Sequence, residues 1–253
     1  MVKSMTGNRH RAAHEIEHGL LLARGDTEAI WGWATPAGQR RAARRAALIT
    51  RAVGLNPGMR VLEIGCGTGL FTEMFAASGA HLDALDLSPH LLDKARQRGL
   101  PPDRVVFRLG RFEDGDINGP FDAVIGSSVL HHLELAPALR RIRRVLADGG
   151  WMGFAEPNYM NPQIFVTYKL RRFFPHISPD EDAFFKERLK RSLESAGLTS
   201  VQITPFDWLH PQTPKPLIPA VERVGRILET TPLIRSFSGS LLIRAQKPPS
   251  GQS

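Results

Sequence analysis

Three glycines at alternate positions, Gly65, Gly67 and Gly69, follow the apolar run Val61–Ile64 and lead into Leu70-Phe71-Thr72. A strand that turns through glycines into a helix lets backbone approach a ligand closely, with amides available at the helix N-terminus. Two ligand classes that use such turns do not fit. A dinucleotide fingerprint wants glycine where Leu70 stands, and a P-loop wants Gly-Lys-Ser/Thr, whose lysine is missing. Glu63, two residues before the first glycine, would repel a pyrophosphate and suits a ligand carrying positive charge. Asp86 lies 21 residues after Gly65, at the end of the next apolar run. A carboxylate at a strand end can accept both hydroxyls of a ribose, whereas Asp83 falls on the opposite face of the same strand.

Further along, His131 and His132 follow the apolar run 121–128. An imidazole there could act as general base toward a phenol or hydroxyl, or the pair could cap the next helix. Glu156, ending a later strand, is a candidate for substrate contact. The run His14-Glu15-Ile16-Glu17-His18 matches H-E-x-x-H, the helical spacing of a zinc site. It has no evident third ligand and lies outside the region just described, so it reads as a solvated helix face and no metal is expected.

Holding these groups are strands at 60–65, 81–87, 104–110, 121–128 and 151–156, with helices at 69–78, 89–98 and 135–147 between them. That alternation predicts βαβ units and a parallel sheet covered on both faces. Ahead of it, helical spacing runs over 12–23 and 35–53, the second with Pro36 in its first turn and Gly54 as its stop. Behind it come a helix at 182–196, a strand at 200–206, a helix at 217–229 and a strand at 238–245. The organisation expected is a helical cover over 1–54, a ligand-binding core over 55–158, and a C-terminal part over 159–253 that completes the sheet.

The 253 residues are 42% apolar and 23% charged, which excludes a disordered chain and is ample for a core. One cysteine excludes a disulfide framework or a cysteine-ligated zinc and fits a reducing cytoplasm, the expected location. No apolar run reaches the roughly 18 residues of a membrane-spanning helix, and GLLLA near the start is too short for a signal-peptide core. The net charge of +8 first suggests nucleic acid or an anionic membrane. Its distribution is uneven: residues 1–60 carry 10 basic and 4 acidic groups, residues 61–157 carry 10 and 13, and residues 158–253 carry 13 and 8. The middle is acidic and the flanks are basic.

VLEIGCGTG, LDLSPHLL, FDAVIGSSVLHHL and LADGGWMGFAEPN, in that order over residues 55–158, resemble a class I S-adenosylmethionine-dependent methyltransferase of the small-molecule type. The resemblance implies an α/β fold: a Rossmann-like, doubly wound, seven-stranded sheet whose last strand is antiparallel, with an N-terminal helical cover and C-terminal helical insertions. It implies S-adenosyl-L-methionine as cofactor. Glu63, Gly65 and Gly67, with Cys66 inside the same loop, would then surround the methionine part, Asp86 would hold the ribose, and Leu87 would pack on the adenine. Ser127 would meet the ligand's amino group through its backbone. The third contact region departs from the common pattern, with Gly110-Arg111-Phe112-Glu113-Asp114 where many relatives place an aspartate for the adenine amine. Phe112 could stack on adenine, with its amide or Glu113 making the polar contact beside Arg111.

The methionine carboxylate needs a cation. By position, Arg45 is similar to an arginine of ubiquinone-biosynthesis O-methyltransferases, with Arg41 second; a solvated basic helix face is the alternative. Trp31 and Trp33 could build an aromatic wall of the acceptor pocket or merely pack the cover onto the sheet. Residues 161–185, with the helix at 217–228, could cover a lipophilic acceptor, rest on an anionic bilayer, or pack in the ordinary way. Methylation at C5 of pyrimidines, which usually uses a cysteine nucleophile, is excluded because the sole cysteine, Cys66, is in the cofactor loop. Base-amine methylation is disfavoured because Ser127-Ser128-Val129-Leu130 replaces the Asn/Asp-Pro-Pro-aromatic motif. A magnesium catechol site would need carboxylates at that strand end, where none stands. What remains is transfer to O, N or C of a small, hydrophobic or aromatic acceptor. The alternatives are an RNA or protein methyltransferase, suggested by net charge alone, and a non-catalytic binder of the cofactor.

Overall fold

The computed structural model describes residues 17, 19–21, 24–115, 117–170 and 183–251. Seven strands form one sheet: β1 (Arg60–Ile64), β2 (His81–Asp86), β3 (Val105–Leu109), β4 (Phe121–Ser127), β5 (Leu146–Pro157), β6 (Thr199–Phe206) and β7 (Ser240–Gln246). Their spatial order is β3-β2-β1-β4-β5-β7-β6. The first five run parallel, and β7 is antiparallel to both β5 and β6. Strand order reverses between β1 and β4, and the crevice beyond their carboxyl ends is where such sheets take ligands.

Eight α-helices are described: α1 (Thr27–Ile30), α2 (Pro36–Val53), α3 (Leu70–Ala76), α4 (Pro89–Arg96), α5 (Leu135–Val145), α6 (Pro162–Lys169), α7 (Lys186–Ser195) and α8 (Ile218–Thr230). The start and stop signals of α2 are both in use. The Thr35 hydroxyl accepts from Gly38 N–H, and Gly54 ends the helix at φ 68°. One sheet face buries Leu62, Val124 and Phe154 against α5 and α7; the other buries Val61, Ile125 and Ala155 against α2 and α3. Alternate residues of the same strand feed opposite cores, which is why these strands read as continuous apolar runs.

Three elements depart from expectation, the first being the four-residue α1, where no helix was expected. Strand β5 starts at Leu146 rather than 151, because an irregularity at Phe121/Ala123 lets Leu146 pair with Phe121. Helix α6 falls in a segment where no helix was expected. It carries no fully buried residue and so leaves little periodic signal; Asn161 caps it, accepting from Gln163 and Ile164 N–H. The helix expected over 12–23 and the H-E-x-x-H run lie almost wholly outside the described residues, as do residues 171–182 of the expected cover. No described helix is long and apolar enough to cross a membrane.

The segment carrying α1 is clamped onto the core by charge. Glu28 bonds the Thr68 hydroxyl (3.0 Å) and pairs with Arg98, while Lys94 Nζ donates to Gly25 O (2.8 Å) and Thr27 Oγ1 (3.0 Å).

Candidate active site

A cleft of about 410 Å³ opens at the carboxyl ends of β1 and β4. Gly65 and Gly67 shape one wall, at φ 69° and 53°. A Cβ at Gly65 would lie 2.4 Å from Val129 Cγ2, and one at Gly67 would lie 3.2 Å from the Trp31 ring. Both positions therefore need glycine for conformation as well as space. Asp86 stands at the floor, where Gly67 N–H donates to its Oδ2 (2.7 Å) and Ser88 N–H to its Oδ1 (2.8 Å). Burial raises its pKa, and those two amides offset part of the rise. Leu87, Arg111, Phe112 and Ser127 also line the cleft. The Phe112 ring is backed by the Arg141 guanidinium at 5.2 Å, and Arg111 is paired with Asp114 at 3.2 Å.

On the other wall lie His131 and His132, their ring centroids 4.2 Å apart. Beneath them, Glu156 is fully buried. Its Oε1 accepts from Val129 and Leu130 N–H, both at 2.9 Å, and its Oε2 lies 2.6 Å from His131 Nδ1. Burial alone would raise the Glu156 pKa, but the His131 hydrogen bond and charge, with the two amides, hold it below the usual carboxylate value. An ionised carboxylate only accepts, so His131 Nδ1 carries the proton. Trp31 and Trp33 cover the cleft from the N-terminal segment, Trp33 standing edge-on to Phe71 at 5.5 Å.

The architecture has known counterparts. Residues 62–152 match the family model described as a methyltransferase domain. The crystal structure of the N-methyltransferase NodS from Bradyrhizobium japonicum, in complex with S-adenosyl-l-homocysteine, superposes with a TM-score of 0.58 at 20% identity, over 85% of this chain and 89% of that one. Residues 62–152 thus match a methyltransferase domain, on a fold that class I methyltransferases share. The chain is 30% identical over 150 residues to a ubiquinone biosynthesis O-methyltransferase of Xanthomonas oryzae pv. oryzae, covering 58% of this chain and 63% of the relative. A protein of the same name from Xylella fastidiosa is 37% identical over 128 residues, covering 47% and 52%. The match thus spans between half and two thirds of these relatives' lengths.

Four of the residues singled out in the sequence do not line the cleft. Arg45 is buried behind it, donating from Nη1 to Ser128 Oγ (2.8 Å), Ser127 Oγ (3.3 Å) and Ala155 O (3.2 Å), and from Nη2 to Ser240 Oγ (2.5 Å). Burial lowers its pKa to about 10, and the Arg41 charge adds to the effect. Arg45 thus braces the Ser127–Ser128 corner instead of presenting a cation to a ligand. Arg41 is engaged as well, paired with Asp207 at 2.8 Å. Glu156, expected to touch substrate, is instead the buried partner of His131. Glu63 is buried one layer below the glycine loop with no hydrogen-bond partner for Oε2, and burial, with the Asp86 charge adding, pushes its pKa up to about 8.

Other cleft residues escaped the sequence reading. Phe71 belongs to the first turn of α3, so its helical position was legible but its ring direction was not. Ser128 adopts φ 55°, which turns the chain out of β4 toward the histidines. The Cys66 thiol is buried, which pushes its pKa well up and leaves it inert as a nucleophile.

Proposed function

We propose that this chain is an S-adenosylmethionine-dependent methyltransferase acting on a hydroxyl oxygen of a small, hydrophobic or aromatic molecule. The observation that carries the oxygen assignment is the 2.6 Å contact between His131 Nδ1 and the buried Glu156 in the cleft wall. The names of the curated relatives, ubiquinone biosynthesis O-methyltransferases, support the same chemistry.

The residues present fit this donor on three counts. The Gly65–Gly67 backbone leaves a cradle that a Cβ would fill. Asp86 spends one amide bond on each oxygen and keeps a second acceptor site on each for ribose hydroxyls. Glu63 keeps an unpartnered buried oxygen close to where a cation would rest. In this reading Leu87 and Phe112 enclose the adenine beside Arg111, the Ser127 backbone meets the amino group, and Trp31 and Trp33 present an aromatic wall to the acceptor.

When bound, the donor supplies a methyl group already activated on a sulfonium sulfur. The chain's own task is alignment and removal of one proton. Glu156 fixes the His131 ring with its proton on Nδ1, which makes Nε2 the basic atom. That nitrogen takes the acceptor's hydroxyl proton, and Glu156 stabilises the imidazolium that forms. The test is turnover of S-adenosylmethionine with a panel of phenols, catechols and hydroxylated quinone precursors, read as product mass. A gain of one methylene on an oxygen is expected. Donor binding by calorimetry with no turnover on any hydroxyl acceptor would leave a binder and sink the proposal.

A further inference from the structure

Residues 215–237 present an apolar surface to solvent that the fold does not use. Helix α8 packs Ile218, half-buried Val221 and Gly225 inward, against Ala37, Leu209 and Trp208. Its outer face exposes Val224 and Ile227, and Leu217 precedes it. Beyond the helix, Ile234 N–H donates to Pro232 O at 2.8 Å and closes a turn around Leu233, which sits at φ 65° and ψ −53°. That is the strained γ-turn geometry, unusual for a branched residue, and here it projects an apolar side chain outward. Leu233 is 82% exposed, with Ile234 and Phe237 exposed beside it.

Charge on this surface is one-sided. Lys215, Arg223, Arg226 and Arg235 are all exposed. Of the two carboxylates of the stretch, Glu229 is bound to Arg44 and to Asp207 N–H, and Glu222 is half-buried with its charge acting on Arg44. The surface is also tied to the cleft. Asn158, next to the cleft residue Pro157, donates from Nδ2 to Ser236 O (2.8 Å) and Ser238 O (2.7 Å).

We propose that this face, α8 together with the 231–237 turn, docks the protein on an anionic lipid bilayer. A protruding leucine held on strained backbone suits insertion among acyl chains, where no preformed pocket has to match it. Four exposed cations around exposed apolar side chains complement anionic headgroups. The sequence suggested such an element over 161–185 together with the helix at 217–228; the face argued here takes in that helix and the turn that follows it. The proposal stands independently of which acceptor the cleft takes.

Flotation of the full chain with phosphatidylcholine vesicles, and with vesicles that also contain phosphatidylglycerol, tests it at low and high salt. Binding to the anionic vesicles is expected, weakened by salt. Leu233→Asp and Ile227→Asp should each weaken it about tenfold or more. Arg223→Glu combined with Arg226→Glu should remove the salt-sensitive part, and melting temperature and donor binding should stay unchanged in every variant. Absence of binding to anionic vesicles at low salt would overturn the proposal, as would full binding by Leu233→Asp. A solution dimer that these substitutions dissociate would give the face to a second copy of this chain and equally overturn it.

Discussion

The carboxyl ends of β1 and β5 each bury a glutamate under the same cleft, and the two are treated in opposite ways. Glu156 has both oxygens engaged, by two amides and a histidine, and stays ionised. Glu63 has an unpartnered oxygen and is held largely neutral, its pKa near 8. Burial is equal, so the difference lies in partners: hydrogen bonds to the charged form outweigh the cost of desolvation at one site and fall short at the other. The β4–β5 edge is finished without a ligand and suited to holding a proton-transfer group in place. The β1–β2 edge is unfinished and gains from a cation. Under the proposed function, proton chemistry falls to one edge and donor binding to the other, and substitutions can separate them.

The largest effect should come from His131→Ala. Turnover should fall by about 10²–10⁴-fold while donor affinity stays within a fewfold of the original. A loss under about tenfold would show that the β5 edge carries no base. Asp86→Ala should act in the reverse sense, weakening donor binding about a hundredfold in calorimetry as charged hydrogen bonds to a ribose are lost. Unchanged affinity would break the assignment of the β1–β2 edge.

Glu156→Gln probes the finished site. With a lowered folded pKa, Glu156 contributes stability above its ordinary value of 4.5, and that contribution is lost as pH falls through the folded value. The substitution should therefore cost ~2–4 kcal/mol at neutral pH by breaking a buried pair. It should also slow turnover by more than the loss of folded protein explains. A variant as stable as the parent at pH 7 would refute the saturated description of this site.

Glu63→Gln should do the opposite. A carboxyl raised from 4.5 to about 8 contributes most below 4.5, and the protein loses stability as pH climbs through that window. At pH 8 the amide should leave the melting temperature unchanged or raise it, by up to ~4 kcal/mol of stability. Donor binding at pH 7 should release a proton, visible in calorimetry across buffers of different ionisation enthalpy, and the Gln variant should not release it. The smallest effect belongs to Glu28→Ala, which loosens the clamp of α1 on Thr68 and Arg98. Partly exposed pairs are worth little, so donor dissociation measured by stopped flow should quicken only about two- to fivefold.

The proposed donor side rests on signals that are local in the sequence. A glycine turn, a preceding acid and a carboxylate at the next strand end lie within 24 residues, Glu63 to Asp86, and each carries its meaning in type and spacing. The pairs that define the acceptor side are long-range. His131, in the turn after β4, and Glu156, in β5, are 25 residues apart, and Arg45 reaches from α2 to Ser127, Ser128 and Ser240 at the ends of β4 and β7. Arg45 was misread for that reason: helical position says where an arginine starts, and only packing says what its guanidinium meets.

By itself, then, the sequence determined the succession of the strands and of the described helices other than α1 and α6, because period-2 and period-3.6 burial and the Pro36 and Gly54 signals act within a few residues. It also determined the glycine cradle, since no other residue accepts those φ values in that space. The tertiary structure alone decided which buried acid is satisfied and which is left open. Desolvation and hydrogen bonding depend on what neighbouring strands bring within 3 Å, and no local pattern carries that information.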